Sequence, residues 1–273
     1  MQSPIAVILA RGLGTRMRRS DADADAELAD DQARVADTGV KAMIPIGRPF
    51  LDYVLSGLAD AGVDEVCLVI GPEHASVREY YVRTVRPERV RIAFAVQEKP
   101  LGTADAVASA GAVVGTRDFL VLNSDNYYPV EAYRALAALD GPGLVAFERD
   151  AMVRDSNVAA DRIGQFAIVR IGADDTMVEV VEKPDAATLA SCGDEVYLSM
   201  NCWRFDTSVL EACRRVRPSA RGELELPDAV RLAQRDQGTR FRVVRMKAGV
   251  LDLSSRGDIA SVAGRLAGVR VCV

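Results

Sequence analysis

Apolar residues along this chain fall into two kinds of run. The first kind is continuous: residues 5–10 (Ile-Ala-Val-Ile-Leu-Ala), 66–70 (Val-Cys-Leu-Val-Ile), 92–96 and 119–122 (Phe-Leu-Val-Leu). Short runs without polar alternation, ended by Gly, Pro or Asn, predict strands covered on both faces. The second kind has helical spacing. After Pro49, the positions Leu51, Val54, Leu55, Leu58 and Ala59 share one face, and Gly62 supplies a stop. Thr103 is placed to cap another helix reaching about Val114. Strands alternating with helices predict a largely parallel sheet with helices on both faces. Ligands of such sheets bind at the carboxyl ends of the strands.

The second half is more mixed. Residues 165–171 and 177–181 read as strands paired across Gly172-Ala173-Asp174-Asp175, and 196–205 as a further strand. Helices are expected over 208–217 and 224–236, with Pro227 in the first turn of the second. A late strand over 240–246 and a last helix over 256–267 complete the pattern. There is no internal repeat and no Pro/Gly-rich linker. One segment breaks the composition. Residues 20–37 are rich in Asp and Ala, with Asp21, Asp23, Asp25, Glu27, Asp30, Asp31 and Asp37. Like charges repel and solvate, so this insertion is expected to be an exposed loop or helix.

Composition narrows the function. With 273 residues and 49% hydrophobic content, the chain can bury a real core. A net charge of −5 argues against a nucleic-acid surface. No apolar run approaches the roughly 20 residues that span a bilayer, and Met-Gln-Ser-Pro is not a signal peptide. The five cysteines are odd in number and form no CxxC pair, which suits reduced thiols in a cytoplasmic protein. A single histidine, His74, excludes a histidine-rich metal site and argues against Ser-His-Asp catalysis. It follows Gly71-Pro72-Glu73 and is expected in an exposed loop or at a helix start.

Four stretches could carry chemistry. The first strand runs into Leu9-Ala10-Arg11-Gly12-Leu13-Gly14-Thr15-Arg16. This is not a Walker loop, because no Lys-Ser/Thr follows Gly14; nor a dinucleotide fingerprint, because the third glycine position is Met17. Backbone N–H groups of such a turn can still nest an anion, and Arg16 can grip phosphate oxygens in a planar fork. A tight turn without a ligand explains the same residues. Lys41 precedes an apolar-proline segment. Gln97 ends a strand ahead of Gly102-Thr103, and its amide can read a base edge. Asp125 follows a buried strand, an apt place for a metal-binding carboxylate. Each alone could be a surface lysine, a helix cap or an Asx-turn.

Taken in order, these stretches resemble the sugar-1-phosphate nucleotidyltransferases, the NDP-sugar pyrophosphorylases. The family pattern L-A-[A/G]-G-x-G-T-R-[M/L] is similar to residues 9–17, K-x-x-x-P to 41–45, and L-x-x-D-N to 122–126. The likeness continues through Val-Val-Glu-Lys-Pro at 180–184, Asn-Cys-Trp-Arg-Phe at 201–205, 221–230 and 249–255. It implies a three-layer α/β/α, Rossmann-like (GT-A-like) core with a mixed, mostly parallel sheet. It also implies one domain over 1–273, with a nucleotide half (1–130), a sugar-phosphate half (131–273) and the insertion at 20–37.

The implied reaction joins an NTP to a sugar 1-phosphate and releases pyrophosphate. Arg16, Lys41, Asp125 and Lys183 would be catalytic. Leu9, Ala10, Arg11, Gly12, Gly14 and Thr15, with Gln97, Gly102 and Thr103, would hold the nucleotide. Asn126, Gly164, Glu182, Lys183 and Asn201 would hold the sugar phosphate. Asp125 and Asp252 would share Mg²⁺. Neither nucleic acid nor membrane is implied as a partner; a homo-oligomer is open, since family members commonly form them. A phosphoalcohol cytidylyltransferase and a non-catalytic nucleotide-sugar-binding relative are the alternatives. The length leaves no room for a β-helical acyltransferase domain.

Two features depart from the family. Arg11 stands where Ala or Gly is usual and could stack on the base, contact phosphate or obstruct the base. The acidic insertion could instead be a lid pairing with Arg18, Arg19 or Arg34. Trp203 and Tyr197 are expected to pack; Tyr127-Tyr128 could shape the sugar pocket or pack, and Arg221-Gly222-Glu223 could bind sugar or form a helix-entry turn.

Overall fold

The computed structural model describes residues 4–25, 28–193 and 195–273. Glu27, one of the acids of the insertion, lies outside the described residues. The strands in chain order are β1 (Ile5–Leu9), β2 (Glu65–Ile70), β3 (Arg91–Val96), β4 (Phe119–Asn123), β5 (Asn126–Tyr127), β6 (Gly143–Glu148), β7 (Ala167–Ile171), β8 (Met177–Val181), β9 (Tyr197–Phe205), β10 (Arg242–Met246) and β11 (Leu251–Asp252).

Seven of them form the path β10-β6-β9-β4-β1-β2-β3, and β7 with β8 extends it through β9. The pairs β1–β2, β1–β4, β2–β3 and β10–β6 are parallel, whereas β9 is antiparallel to β4, β6 and β7. The sheet is therefore mixed, with a parallel majority around β1.

The continuous apolar runs have a direct cause. Ala6, Ile8, Leu120 and Leu122 point into one buried cluster, and Ile5, Val7, Phe119 and Val121 into another on the opposite face. Helix Phe50–Asp60 covers the first face, and helices Thr103–Ser109, Thr207–Arg215 and Leu226–Gln237 cover the second. Trp203 and Tyr197 pack in the second cluster as expected, and Tyr128 is fully buried in the first.

Several local expectations are corrected. The helix after Thr103 is broken into Thr103–Ser109 and Gly111–Val114. Its N-cap is Gly102 at φ 123°, and the Thr103 hydroxyl instead accepts from the Leu226 N–H at 2.9 Å. A Cβ on Gly102 would stand 2.5 Å from the Leu224 carbonyl, so this loop and the segment before helix Leu226–Gln237 need a glycine between them. β6 and the helices Val130–Ala138 and Arg149–Asp155 were not anticipated. The insertion forms helices Ala22–Asp25 and Asp30–Thr38, and it is not simply solvated: Asp25 and Asp37 both bond the buried Arg256. Arg18 reaches the Thr38 carbonyl at 2.6 and 3.0 Å, so the acids do not close onto Arg18 as a lid.

The insertion returns to the glycine turn through a backbone contact. Gly14 is at φ 59°, and a Cβ there would lie 2.2 Å from the Gly39 carbonyl oxygen. Gly14→Ala is expected to cost about 2 kcal/mol and lower Tm by roughly 4–8 °C in thermal unfolding. An unchanged Tm would show that the contact is not constraining.

Candidate active site

The carboxyl ends of four strands converge. Ala10 donates to the Val69 carbonyl, Gln97 to Ile70 and Ser124 to Leu9, which aligns the residues following β1, β2, β3 and β4. They border a cleft of about 460 Å³. Leu9, Ala10, Arg11, Gly12, Gly14, Thr15 and Arg16 form one wall. Lys41, Asp125 and Asn201 are also on its surface, as are Gln97, Gly102 and Thr103. Asn126, Gly164, Glu182, Lys183 and Asp252 do not line it.

Arg16 is exposed on the cleft wall and has no ion-pair partner among the described residues. Lys41 is delivered by the helix Asp30–Thr38 and the turn at Gly39, and its Nζ lies 2.8 Å from Asp125 Oδ2. The short pair β5–β11 sets Asn126 opposite Asp252, and the Leu253 N–H donates to the Asp125 carbonyl. Two carboxylates 127 positions apart are thereby drawn together. Asp252 is buried; Asn126 Nδ2 donates to its Oδ1 at 3.1 Å and Arg162 Nη2 to its Oδ2 at 2.9 Å. Burial, and then the charge of Asp125, push the Asp252 carboxyl up from the usual range. Asn126, expected from the sequence to meet the sugar phosphate, bonds Asp252 and Asn123, each at 3.1 Å, and lies beneath the cleft.

Arg162 also bonds Asp258 at 2.6 Å. Sequence reasoning missed it, because nothing in Asp161-Arg162-Ile163-Gly164 marks an arginine that bridges two acids some 90 residues away. Backbone conformation offers a further signal. Among the described residues only four non-glycines have positive φ, and two are Lys183 (46°) and Asn201 (53°), both named from the sequence for the sugar phosphate. Strain of this kind collects at functional sites. Asn201 Oδ1 accepts from Trp203 Nε1 at 3.3 Å, which leaves its amide nitrogen for a ligand.

Arg11 resolves differently from its family context. Its Nε and Nη2 pair with the two oxygens of Glu73 at 3.1 and 3.3 Å, its side chain is 7% exposed, and its Nη1 is buried without a partner. The guanidinium holds the Glu73 carboxyl below its usual range. It is fixed as a wall of the cleft by a residue from the loop after β2. His74 is at a helix start, as expected, but is buried rather than exposed, with Nδ1 accepting from the Gly71 N–H at 3.3 Å.

The strand ends of this mixed α/β sheet thus bring a glycine turn, Arg16, Lys41 and Asp125 onto one cleft, with Asp252 buried beneath it. Comparison with known proteins specifies the class. The model of the nucleotidyl transferase family matches residues 35–253, and the chain belongs to that family. The chain is 30% identical over 273 residues to the bifunctional protein GlmU of Geobacter metallireducens, covering 97% of this chain and 51% of that protein. It is 28% identical over 231 residues to a glucose-1-phosphate thymidylyltransferase of Streptomyces antibioticus, covering 82% and 56%. It is 25% identical over 260 residues to the UTP–glucose-1-phosphate uridylyltransferase AglF of Haloferax volcanii, covering 93% and 92%. The chain spans about half the length of the curated relatives it matches first, 46% in the foremost case. A UDP-glucose pyrophosphorylase solved with UDP-glucose superimposes with a TM-score of 0.74 at 17% identity, covering 98% of this chain and 100% of that one, which shows the fold.

Burial lowers the pKa of His74, which keeps the folded chain neutral there at pH values where the unfolded chain takes up a proton. Stability is therefore expected to be constant above the unfolded value and to fall as pH drops below about 6.5. Because the chain has one histidine, a single imidazole resonance followed by NMR reports it. A midpoint above 6.5 would contradict the burial argument.

Proposed function

We propose that the chain is a Mg²⁺-dependent transferase that joins the nucleotidyl group of an NTP to a sugar 1-phosphate. The observation that carries this reading is the cleft at the strand ends, where the glycine turn, Arg16 and the Lys41–Asp125 pair face one space. A phosphate oxygen of the sugar 1-phosphate attacks the α-phosphorus of the NTP. The bond from that phosphorus to the bridging oxygen breaks, and pyrophosphate leaves. Two polyanions must meet, so the site needs fixed cations and alignment rather than a covalent nucleophile.

Arg16, having no competing acid, would take the β- and γ-phosphates with the N–H groups of residues 12–15. Lys41 would move from Asp125 onto the triphosphate. Lys183 and Asn201 would hold the sugar phosphate, with Glu182 and the Gly164 backbone toward the sugar. The nucleotide would rest on residues 1–130 and the sugar phosphate on 131–273.

The acids suit a divalent cation. Among the described residues no cluster of three or more metal-binding side chains occurs, but Mg²⁺ takes few carboxylates and completes its shell with water and phosphate. Burial and the charge of Asp125 raise the cost of ionising Asp252, which a bound cation would relieve. When bound there, Mg²⁺ supplies charge neutralisation at the α-phosphate.

The surroundings of Gln97 support a uracil or thymine base. Gln97 is buried, and its Nε2 donates to the Gly102 carbonyl at 3.0 Å and to Asp105 Oδ2 at 2.8 Å. Both amide hydrogens are spent, so Oε1 is left to accept an N–H. The N3–H of uracil or thymine offers that donor at the centre of the base edge, where cytosine presents a lone pair and donates only from its N4 amino group. No helix among the described residues is long and apolar enough to cross a membrane, and every cysteine described is a free thiol, which supports a cytoplasmic setting.

Pyrophosphate release over a grid of NTPs and sugar 1-phosphates tests the reaction, and choline phosphate in the same grid tests the phosphoalcohol alternative. Turnover with UTP or dTTP is expected to exceed that with CTP by at least roughly tenfold. Silence across the grid with Mg²⁺ present overturns the proposal. Asp125→Asn is expected to lower kcat by a factor on the order of 10² or more while the circular dichroism spectrum is unchanged.

A further inference from the structure

The acidic insertion has an anchor that the reaction does not itself explain. Arg256 is 4% exposed, and all three of its nitrogens are engaged. Nε donates to the Met17 carbonyl at 2.9 Å, Nη1 to Asp25 Oδ1 at 2.9 Å, and Nη2 to Asp37. Met17 follows Arg16 in the helix Thr15–Arg18, and Asp37 stands in the helix that leads through Gly39 to Lys41. One guanidinium thus holds the supports of both triphosphate cations.

The same arginine is tied to the metal-side acid. It sits in a turn where Asp258 Oδ2 accepts from the N–H groups of Ser254 and Ser255 and from Ser255 Oγ. Asp258 Oδ1 accepts from Arg162, whose other nitrogen holds Asp252. The contacts therefore run from Asp252 through Arg162 and Asp258 to Ser254 and Ser255, whose backbone leads directly into Arg256 and from its side chain to the segments carrying Arg16 and Lys41. Charge points the same way. Acids beside a triphosphate site would repel the ligand, but Asp25 and Asp37 are spent on a buried cation. In return they keep that cation from competing with Arg16 and Lys41 for phosphate.

We infer that Arg256 is a positioning residue, and that the insertion is a fixed strap through which it sets Arg16 and Lys41 against the Asp125–Asp252 pair. This rests on the nucleotidyl-transfer reading of the cleft. The strap acts on the triphosphate end of the reaction and not on the sugar phosphate.

The test compares the parent chain with Arg256→Lys and with the double variant Asp25→Asn/Asp37→Asn. The double variant removes two partially or fully solvated carboxylates, 32% and 71% exposed, and leaves the Met17 bond in place, so it should fold. The KM for UTP or dTTP is expected to rise roughly tenfold in the double variant while the KM for sugar 1-phosphate holds. Arg256→Lys keeps the charge but cannot span three acceptors, and should fall in the same direction. UTP titration by calorimetry should show the same loss without turnover. Equal shifts in both KM values, or a lowered Tm with neither KM changed, would reduce Arg256 to a structural role. A parent chain that binds UTP and a double variant that binds it equally well would overturn the strap alone. A parent chain that binds no triphosphate would overturn the reading of the cleft, and the strap with it.

Discussion

Two carboxylates are held close together in a largely buried place, and the layout of the cleft is arranged around that repulsion. Asp252 is the deeper one, at 4% exposure, and Asp125 sits nearer the cleft. Unbalanced, the pair would drive the strand ends apart or take up a proton. Lys41 answers Asp125 and Arg162 answers Asp252, each with one short contact. The two answers differ in permanence. Arg162 is shared with Asp258, so taking it from Asp252 would break into a second ion pair. Removing one partner of a buried pair costs about 3–5 kcal/mol. Lys41 has a single acid partner and stands on the cleft, so it can be traded for phosphate oxygens. The fixed pair keeps the fold; the exchangeable pair is what a polyanion can use.

Much of this was legible in the sequence, for a specific reason. The strands around β1 are buried on both faces, so their apolar runs are unbroken and easily bounded. The residues that follow them, Ala10, Gln97 and Ser124, must then lie at one edge of the sheet. That is why the glycine turn, Lys41, Gln97, Gly102 and Asp125 could be named from spacing and family likeness, and why they share one cleft. β6 escaped although Asp140-Gly141-Pro142 marks a turn before Gly143-Leu144-Val145-Ala146-Phe147-Glu148; its neighbours β9 and β10 are far along the chain.

What escaped at the site is of another kind. Arg162, Arg256 and Glu73 act through partners between 62 and 239 residues away, and no local pattern announces such a meeting. The insertion is the helical, largely exposed segment its charges predict, with Asp21, Asp30, Asp31 and Asp37 exposed. What its own stretch does not announce is the guanidinium from the far end of the chain that is buried against Asp25 and Asp37.

Arg11 shows how a departure from a family pattern can be absorbed by a second one. A guanidinium at a position usually held by Ala or Gly would, if unpaired, carry a loose charge into the cleft. Glu73 removes that freedom by a two-point pair whose geometry fixes the plane of the group. The pair needs room beside Gly71, where a Cβ would lie 2.4 Å from both Glu73 oxygens and 2.5 Å from Arg11 Nε. Arg11, Glu73 and Gly71 therefore act as one unit, and replacing Glu73 alone would free a cation on the cleft wall. Arg11 becomes a neutralised, rigid wall of the cleft that Gln97 also lines, and Gln97, whose amide hydrogens are already spent, keeps only its Oε1 open.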